Sequence, residues 1–179
     1  MTLSNQELHA NAHPGQEADL APILEQIAAH LQARGWMLAT AESCTGGMIA
    51  AACTERAGSS QWFERGFVSY SNAAKSELLG VPAALIATQG AVSQAVACAM
   101  AEGAIAHSQA QVSLAVTGIA GPGGASADKP VGSVWLAWCL AGQTRSEWQR
   151  FPGDRAAVRA ATRAHALHRL AQWLAQPAP

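Results

Sequence analysis

The run Glu42-Ser43-Cys44-Thr45-Gly46-Gly47 places a hydroxyl and a thiol just before paired glycines. Here a short apolar segment gives way to Met48-Ile49-Ala50-Ala51-Ala52. A nucleophile at a strand-to-helix turn is presented at a sheet edge, and the backbone N–H groups that follow can hold a developing oxyanion. Glycines there let a substrate approach the backbone closely. The run does not match the GxSxG elbow of common hydrolases. The same residues also suit a plainer role, with Ser43 or Thr45 capping the helix. Cys44 is a rival nucleophile, because a helix start acidifies a thiol. No convincing partner histidine accompanies it.

A serine needs a base, and Ser69-Tyr70-Ser71-Asn72-Ala73-Ala74-Lys75 supplies a candidate. Lys75 falls about one turn into a predicted helix, where burial or nearby positive potential would favour its neutral, basic form. Tyr70, at a predicted strand end, could relay or orient the proton. The alternative is a solvated Lys75 and a core Tyr70. The glycines at 118, 121, 123 and 124 form a third segment whose N–H groups could cradle an anion, or simply make a turn. They match neither a Walker loop nor GxGxxG. Ser126-Ala127-Asp128-Lys129 reads S-x-x-K but lies in a loop, so we treat it as a chance match, with Lys129 a candidate phosphate contact or lid residue. Arg155 sits at a predicted helix start, able to lean into a cleft. Arg159 and Arg163 read as a solvated basic face. His165 and His168 have the spacing of metal ligands but lack an evident third.

These residues need elements to hold them. Asp19 reads as the N-cap of a first helix carrying Leu20, Ile23, Leu24, Ile27 and Leu31, closed by Gly35. Trp36–Thr40, Phe63–Tyr70, Val112–Val116, Val131–Leu140 and Thr144–Phe151 read as strands. Helices are predicted from Gly46-Gly47, over Asn72–Leu79, through Val92, Val96, Met100 and Ala104, and after Asp154. In the last of these, Ala157, Ala160, Ala164, Leu167, Ala171 and Leu174 form the apolar stripe. Alternating strands and helices predict an α/β fold, with a parallel or mostly parallel sheet, helices on both faces and one antiparallel member. In such sheets ligands sit beyond the carboxyl ends of strands. Glu42–Gly47, Tyr70–Lys75 and Thr117–Gly124 are therefore expected to meet in one cleft.

The chain has 179 residues, half of them hydrophobic and 13% charged, with a formal net charge of −1. One domain at 19–175 is expected, preceded by a flexible N-terminal tail at 1–18. The charge argues against nucleic-acid binding. No apolar run would span a membrane, and the start has no signal-like apolar stretch. Cys44, Cys53, Cys98 and Cys139 are scattered, as expected of reduced thiols in a cytoplasmic protein.

Read together, Ala41–Gly47, Gly58-Ser59-Ser60, Gly66–Lys75, Gly118–Pro122 and Lys129-Pro130-Val131-Gly132 resemble the CinA C-terminal domain family, in the right order and from about Leu20 to Leu174. That family includes nicotinamide-nucleotide amidases. The resemblance implies a three-layer α/β/α sandwich with a mixed, mostly parallel sheet, no metal and no cofactor. It implies hydrolysis of a small nucleotide, nicotinamide mononucleotide, to nicotinate mononucleotide and ammonia. Ser43 takes the place of the family's nucleophile, Lys75 its base and Tyr70 its assisting tyrosine. Thr45, Gly46, Thr117, Gly118, Gly121 and Arg155 become the expected substrate-binding residues. Many members carry a further N-terminal domain resembling molybdopterin-binding proteins, and no activity of that domain is expected here. A homodimer is expected from the size of the α/β domain. The competing expectation is a nucleotide-binding or regulatory domain without turnover.

Overall fold

Along Leu38–Ala41 and Val112–Ala115 larger residues alternate with alanine or serine, and that alternation helps set the layers. The computed structural model describes residues 19–176; the tail expected at 1–18 lies outside them. Five strands, β1 (Leu38–Glu42), β2 (Phe63–Val68), β3 (Val112–Gly118), β4 (Ser133–Leu140) and β5 (Gln143–Arg150), form one sheet in the order β2-β1-β3-β4-β5. β1 pairs in parallel with β2 and β3, whereas β4 runs antiparallel to β3 and β5. β4 is thus the one strand running against the other four. The mixed sheet and its single reversed member agree with the expectation.

Six helices cover the sheet: α1 (Ala21–Arg34), α2 (Met48–Thr54), α3 (Asn72–Leu79), α4 (Ala83–Gln89), α5 (Gln94–Ala106) and α6 (Arg155–Leu174). Leu38, Leu114, Val116, Leu136 and Trp138 point to one face, where they pack with residues of α1, α2 and α6. Ala39, Ala41, Ala115, Ala137 and Cys139 point to the other, against α3, α4 and α5. Small residues on that second face let α5 lie close. Gly103 in turn lets α5 press against the end of α3, since a Cβ there would fall 2.0 Å from the Leu79 carbonyl oxygen. On the first face the Trp138 indole donates to the Ala166 carbonyl at 3.1 Å, giving its one polar atom a partner in the core.

The structure corrects the sequence reading in four places. Leu20, not Asp19, is the N-cap residue of α1; the Asp19 carboxylate accepts from the Ala21 N–H at 3.0 Å. β1 runs two residues later than Trp36–Thr40. α4 was not foreseen: Pro82 and Gly90 bracket a helix of only 7 residues, too short to show a period. The buried stripe of α6 is Val158, Thr162, Ala166, Leu167, Leu170, Ala171 and Leu174, which leaves Ala157 exposed and Ala160 and Ala164 half-buried. Alanine contributes little burial energy, so the larger aliphatic side chains set the rotation of the helix. Among the described residues no helix is long and apolar enough to cross a membrane, and the four cysteines are unpaired.

Candidate active site

The carboxyl ends of β1, β2 and β3 lie side by side because the three strands are parallel. From β1 the chain crosses to β2 through α2 on one face. From β2 it crosses to β3 through α3, α4 and α5 on the other. The chain therefore diverges at β1, which opens a crevice there. Ser43 N–H donates to the Val116 carbonyl at 3.1 Å and Ser69 N–H to the Glu42 carbonyl at 2.9 Å. The turns after β1 and β2 are thereby stitched to neighbouring strands.

Ser71 caps α3, its hydroxyl accepting from the Ala74 N–H at 3.0 Å. The first turn of α3 then carries Lys75 on the same inward stripe as Leu79, and the lysine is buried. Its Nζ lies 3.1 Å from Ser43 Oγ, 2.9 Å from the Ser69 carbonyl oxygen and 3.4 Å from the Tyr70 carbonyl oxygen. Burial holds the amine below the usual lysine range. A neutral amine has two N–H donors and one lone pair. In the ammonium form Nζ donates to all three oxygens; in the neutral form two N–H groups would serve the carbonyls, leaving the lone pair for the serine hydroxyl. Serine and lysine can thus act as nucleophile and base without an intermediary.

Tyr70 stands elsewhere. Its ring is exposed, and its hydroxyl accepts from Arg155 Nη2 at 2.9 Å. Arg155 Nη1 donates to the Gly121 carbonyl at 2.9 Å. The three predicted segments do converge, with Arg155 bridging the second and third at the mouth. Thr117 is buried, its hydroxyl donating to the Ala91 carbonyl at 2.8 Å. Gly118 packs against β4, where a Cβ would meet Val134 at 2.7 Å. These two residues shape the wall rather than offer side-chain contacts. Lys129 ties its loop down, donating to the Val92 carbonyl at 2.8 Å.

Sequence reasoning missed two residues. Glu42 is fully buried. One carboxylate oxygen accepts from the Thr45 hydroxyl at 2.7 Å, Gly47 N–H at 3.1 Å and Ile49 N–H at 3.0 Å. The other accepts from Ala50 N–H at 2.8 Å. The start of α2 is therefore satisfied from within, so Thr45's side chain faces the protein. A carboxylate ending an otherwise uncharged five-residue strand was the available signal. An amide at this position would point its NH2 at donors in either orientation. Glu42→Gln should therefore cost about 2 kcal/mol of stability, measured by urea unfolding.

Arg159 is the second. Instead of facing solvent, its Nε donates to the Cys44 carbonyl at 3.1 Å and its Nη2 to the Thr45 carbonyl at 2.8 Å. Cys44 is itself buried, and burial pushes its thiol up to about 11. The thiolate that a cysteine nucleophile needs is therefore scarce near neutral pH. His165, the predicted metal-ligand candidate, contacts Glu147 at 3.0 Å. No three His, Cys, Asp or Glu side chains gather as a metal group among the described residues.

Known proteins share this arrangement of elements. A family model for the CinA C-terminal domain matches residues 20–174. The chain is 48% identical over 163 residues to the nicotinamide-nucleotide amidohydrolase PncC of Escherichia coli K12, covering 89% of this chain and 98% of that one. It is 50% identical over 153 residues to the protein of the same name from Pseudomonas putida, covering 86% and 96%. The crystal structure of the competence/damage inducible protein CihA from Agrobacterium tumefaciens aligns with a TM-score of 0.84 at 45% identity, over 93% of this chain and 99% of that one. The match runs from the first helix to the last and includes both turns that bring Ser43 and Lys75 together, so this chain belongs to the CinA C-terminal domain family.

Proposed function

We propose that this protein is an amidohydrolase that converts nicotinamide mononucleotide to nicotinate mononucleotide and ammonia. The observation that carries the chemistry is the 3.1 Å approach of Lys75 Nζ to Ser43 Oγ, with both remaining amine positions turned to carbonyl oxygens. The substrate class is supported by the amidohydrolase relatives, which are about half identical across nearly their whole length.

Lys75 takes the hydroxyl proton as Ser43 Oγ adds to the carboxamide carbon. The tetrahedral oxyanion is received by backbone N–H groups of the Cys44–Thr45 turn. Lys75, now an ammonium, returns the proton to the departing nitrogen, and ammonia leaves an acyl ester on Ser43. Water then attacks the ester, giving up a proton to Lys75, which passes it to Ser43 Oγ as the carboxylic acid departs and ionises in solvent. Arg155 spends two of its five N–H donors on Tyr70 and Gly121 and offers the rest to the substrate phosphate. Tyr70 holds Arg155 at the mouth, while Gly121 supplies the second anchor.

The test is ammonia release by the wild-type protein from nicotinamide mononucleotide, compared with free nicotinamide. Release from the nucleotide at a kcat/KM at least about 100-fold higher supports the reading, since losing a phosphate contact typically costs about 3 kcal/mol. Thermal stabilisation by the nucleotide without ammonia release would instead support a binding domain that does not turn over.

A further inference from the structure

The turn between β1 and α2 accounts for almost all of its own amides. Ser43 N–H goes to Val116, and Gly46 N–H to the Ser43 carbonyl at 3.1 Å. The N–H groups of Gly47, Ile49 and Ala50 go to Glu42. Met48 N–H goes to the Thr45 carbonyl at 3.4 Å and Ala51 N–H to the Gly47 carbonyl at 2.9 Å. Within residues 43–51 and among the described residues, this leaves the Thr45 N–H without an acceptor and the Cys44 N–H meeting only its own sulfur. They belong to the two residues that follow the nucleophile.

The amide of Thr45 shares a peptide plane with the Cys44 carbonyl, and the Thr45 carbonyl lies in the next plane. In a trans peptide the N–H points opposite to the C=O. The Arg159 guanidinium draws both carbonyls to the α6 side. It thereby turns the Thr45 N–H away from α6, and the cation polarises the amide whose carbonyl it binds. Gly46, with φ of 60°, lets the chain turn here, and Arg159 Nη2 lies 3.5 Å from where a Cβ would sit.

Resting on Ser43 as the acylated nucleophile, we infer that Arg159 is a positioning residue. It acts through the Cys44 and Thr45 carbonyls to hold the oxyanion-binding Thr45 amide in register. Its planar fork suits two adjacent carbonyls in a way that a lysine ammonium cannot reproduce.

The experiment compares wild type, Arg159→Ala and Arg159→Lys by two readouts, with Tm measured for each. The first is steady-state ammonia release from nicotinamide mononucleotide. The second is the rate of Ser43 labelling by a fluorophosphonate, followed by intact mass, since that attack also develops negative charge on oxygen. Arg159→Ala should lower kcat about 100-fold with KM changed less than about threefold, as expected when stabilisation is lost mainly in the transition state. Labelling should slow by a similar factor. Millimolar guanidinium should recover at least about tenfold of the loss where ammonium does not. Arg159→Lys should fall between the two, and it carries the test if the alanine variant does not fold. Activity within about threefold of wild type in either variant overturns the inference. So does a loss that guanidinium leaves untouched in a variant with wild-type Tm. If wild type labels but releases no ammonia from the nucleotide, the substrate reading fails while the Arg159 comparison stands on labelling alone. A wild-type Ser43 that neither labels nor turns over overturns both.

Discussion

Ser43→Ala is expected to lower ammonia release from nicotinamide mononucleotide by about 10⁴-fold or more, since the nucleophile has no substitute once its oxygen is gone. The fold should persist, because among the described residues the Ser43 hydroxyl bonds only Lys75 and the turn is held by backbone bonds, Glu42 and Arg159. Cys44→Ala is the matched control for nucleophile choice. Its thiol is buried and held protonated, so losing it should leave the reaction running through Ser43. Equal losses in both variants, with Tm unchanged in each, would mean that the neighbouring thiol takes part in the chemistry.

The second large effect falls on Lys75→Met, which keeps the length and apolar stem of the side chain while removing the amine. A loss in kcat of about 10³-fold is expected for a general base acting directly on the nucleophile. The pH dependence gives a finer check. Burial lowers the Lys75 pKa, and catalysis needs the neutral amine. Wild-type kcat/KM should therefore rise as pH passes upward through that lowered value, then level off. Stability follows the same sign. Between the lowered folded value and the ordinary lysine value of about 10.4, the unfolded chain binds a proton that the folded chain does not. Wild-type stability should thus increase with pH across that window. Lys75→Met should lack this slope and, below the window, be at least as stable as wild type in urea unfolding. A Met variant with near-normal turnover would remove the lysine from the mechanism.

Much of this site could be read from residue order because the chemistry sits on regular punctuation. Ser43 precedes two glycines that must break the strand, and Lys75 falls one turn after a serine cap. Both positions follow from local rules that the tertiary structure obeys. Arg159 escaped because its role depends on how α6 rotates. Ala157, Ala160 and Ala164 completed a convincing periodic stripe, yet Val158, Thr162, Ala166 and Leu170 are the residues buried there, which turns the helix enough to bring Arg159 beneath the turn. Tyr70 shows the opposite difficulty. Its place beside the lysine in sequence implied a shared proton, whereas its carbonyl meets Lys75 and its hydroxyl reaches Arg155. Sequence adjacency does not say which atom of a residue is presented.

The unequal faces of the sheet carry a consequence for how this molecule can diverge. On the side of α1, α2 and α6, bulky aliphatic residues and tryptophans fill the space, and one such side chain can be exchanged for another if the total volume is kept. On the side of α5 the strands present Ala39, Ala41, Ala115 and Ala137, and a Cβ on Gly103 would strike the Leu79 carbonyl of α3, so those positions leave little room for larger side chains. Lys75 stands over the rigid half and Arg159 over the adaptable one. Natural variation should therefore reach the two ends of the reaction centre unequally. The base sits in a frame that tolerates little drift, whereas the support beneath the nucleophile can be re-tuned by neutral exchanges in the layer around it.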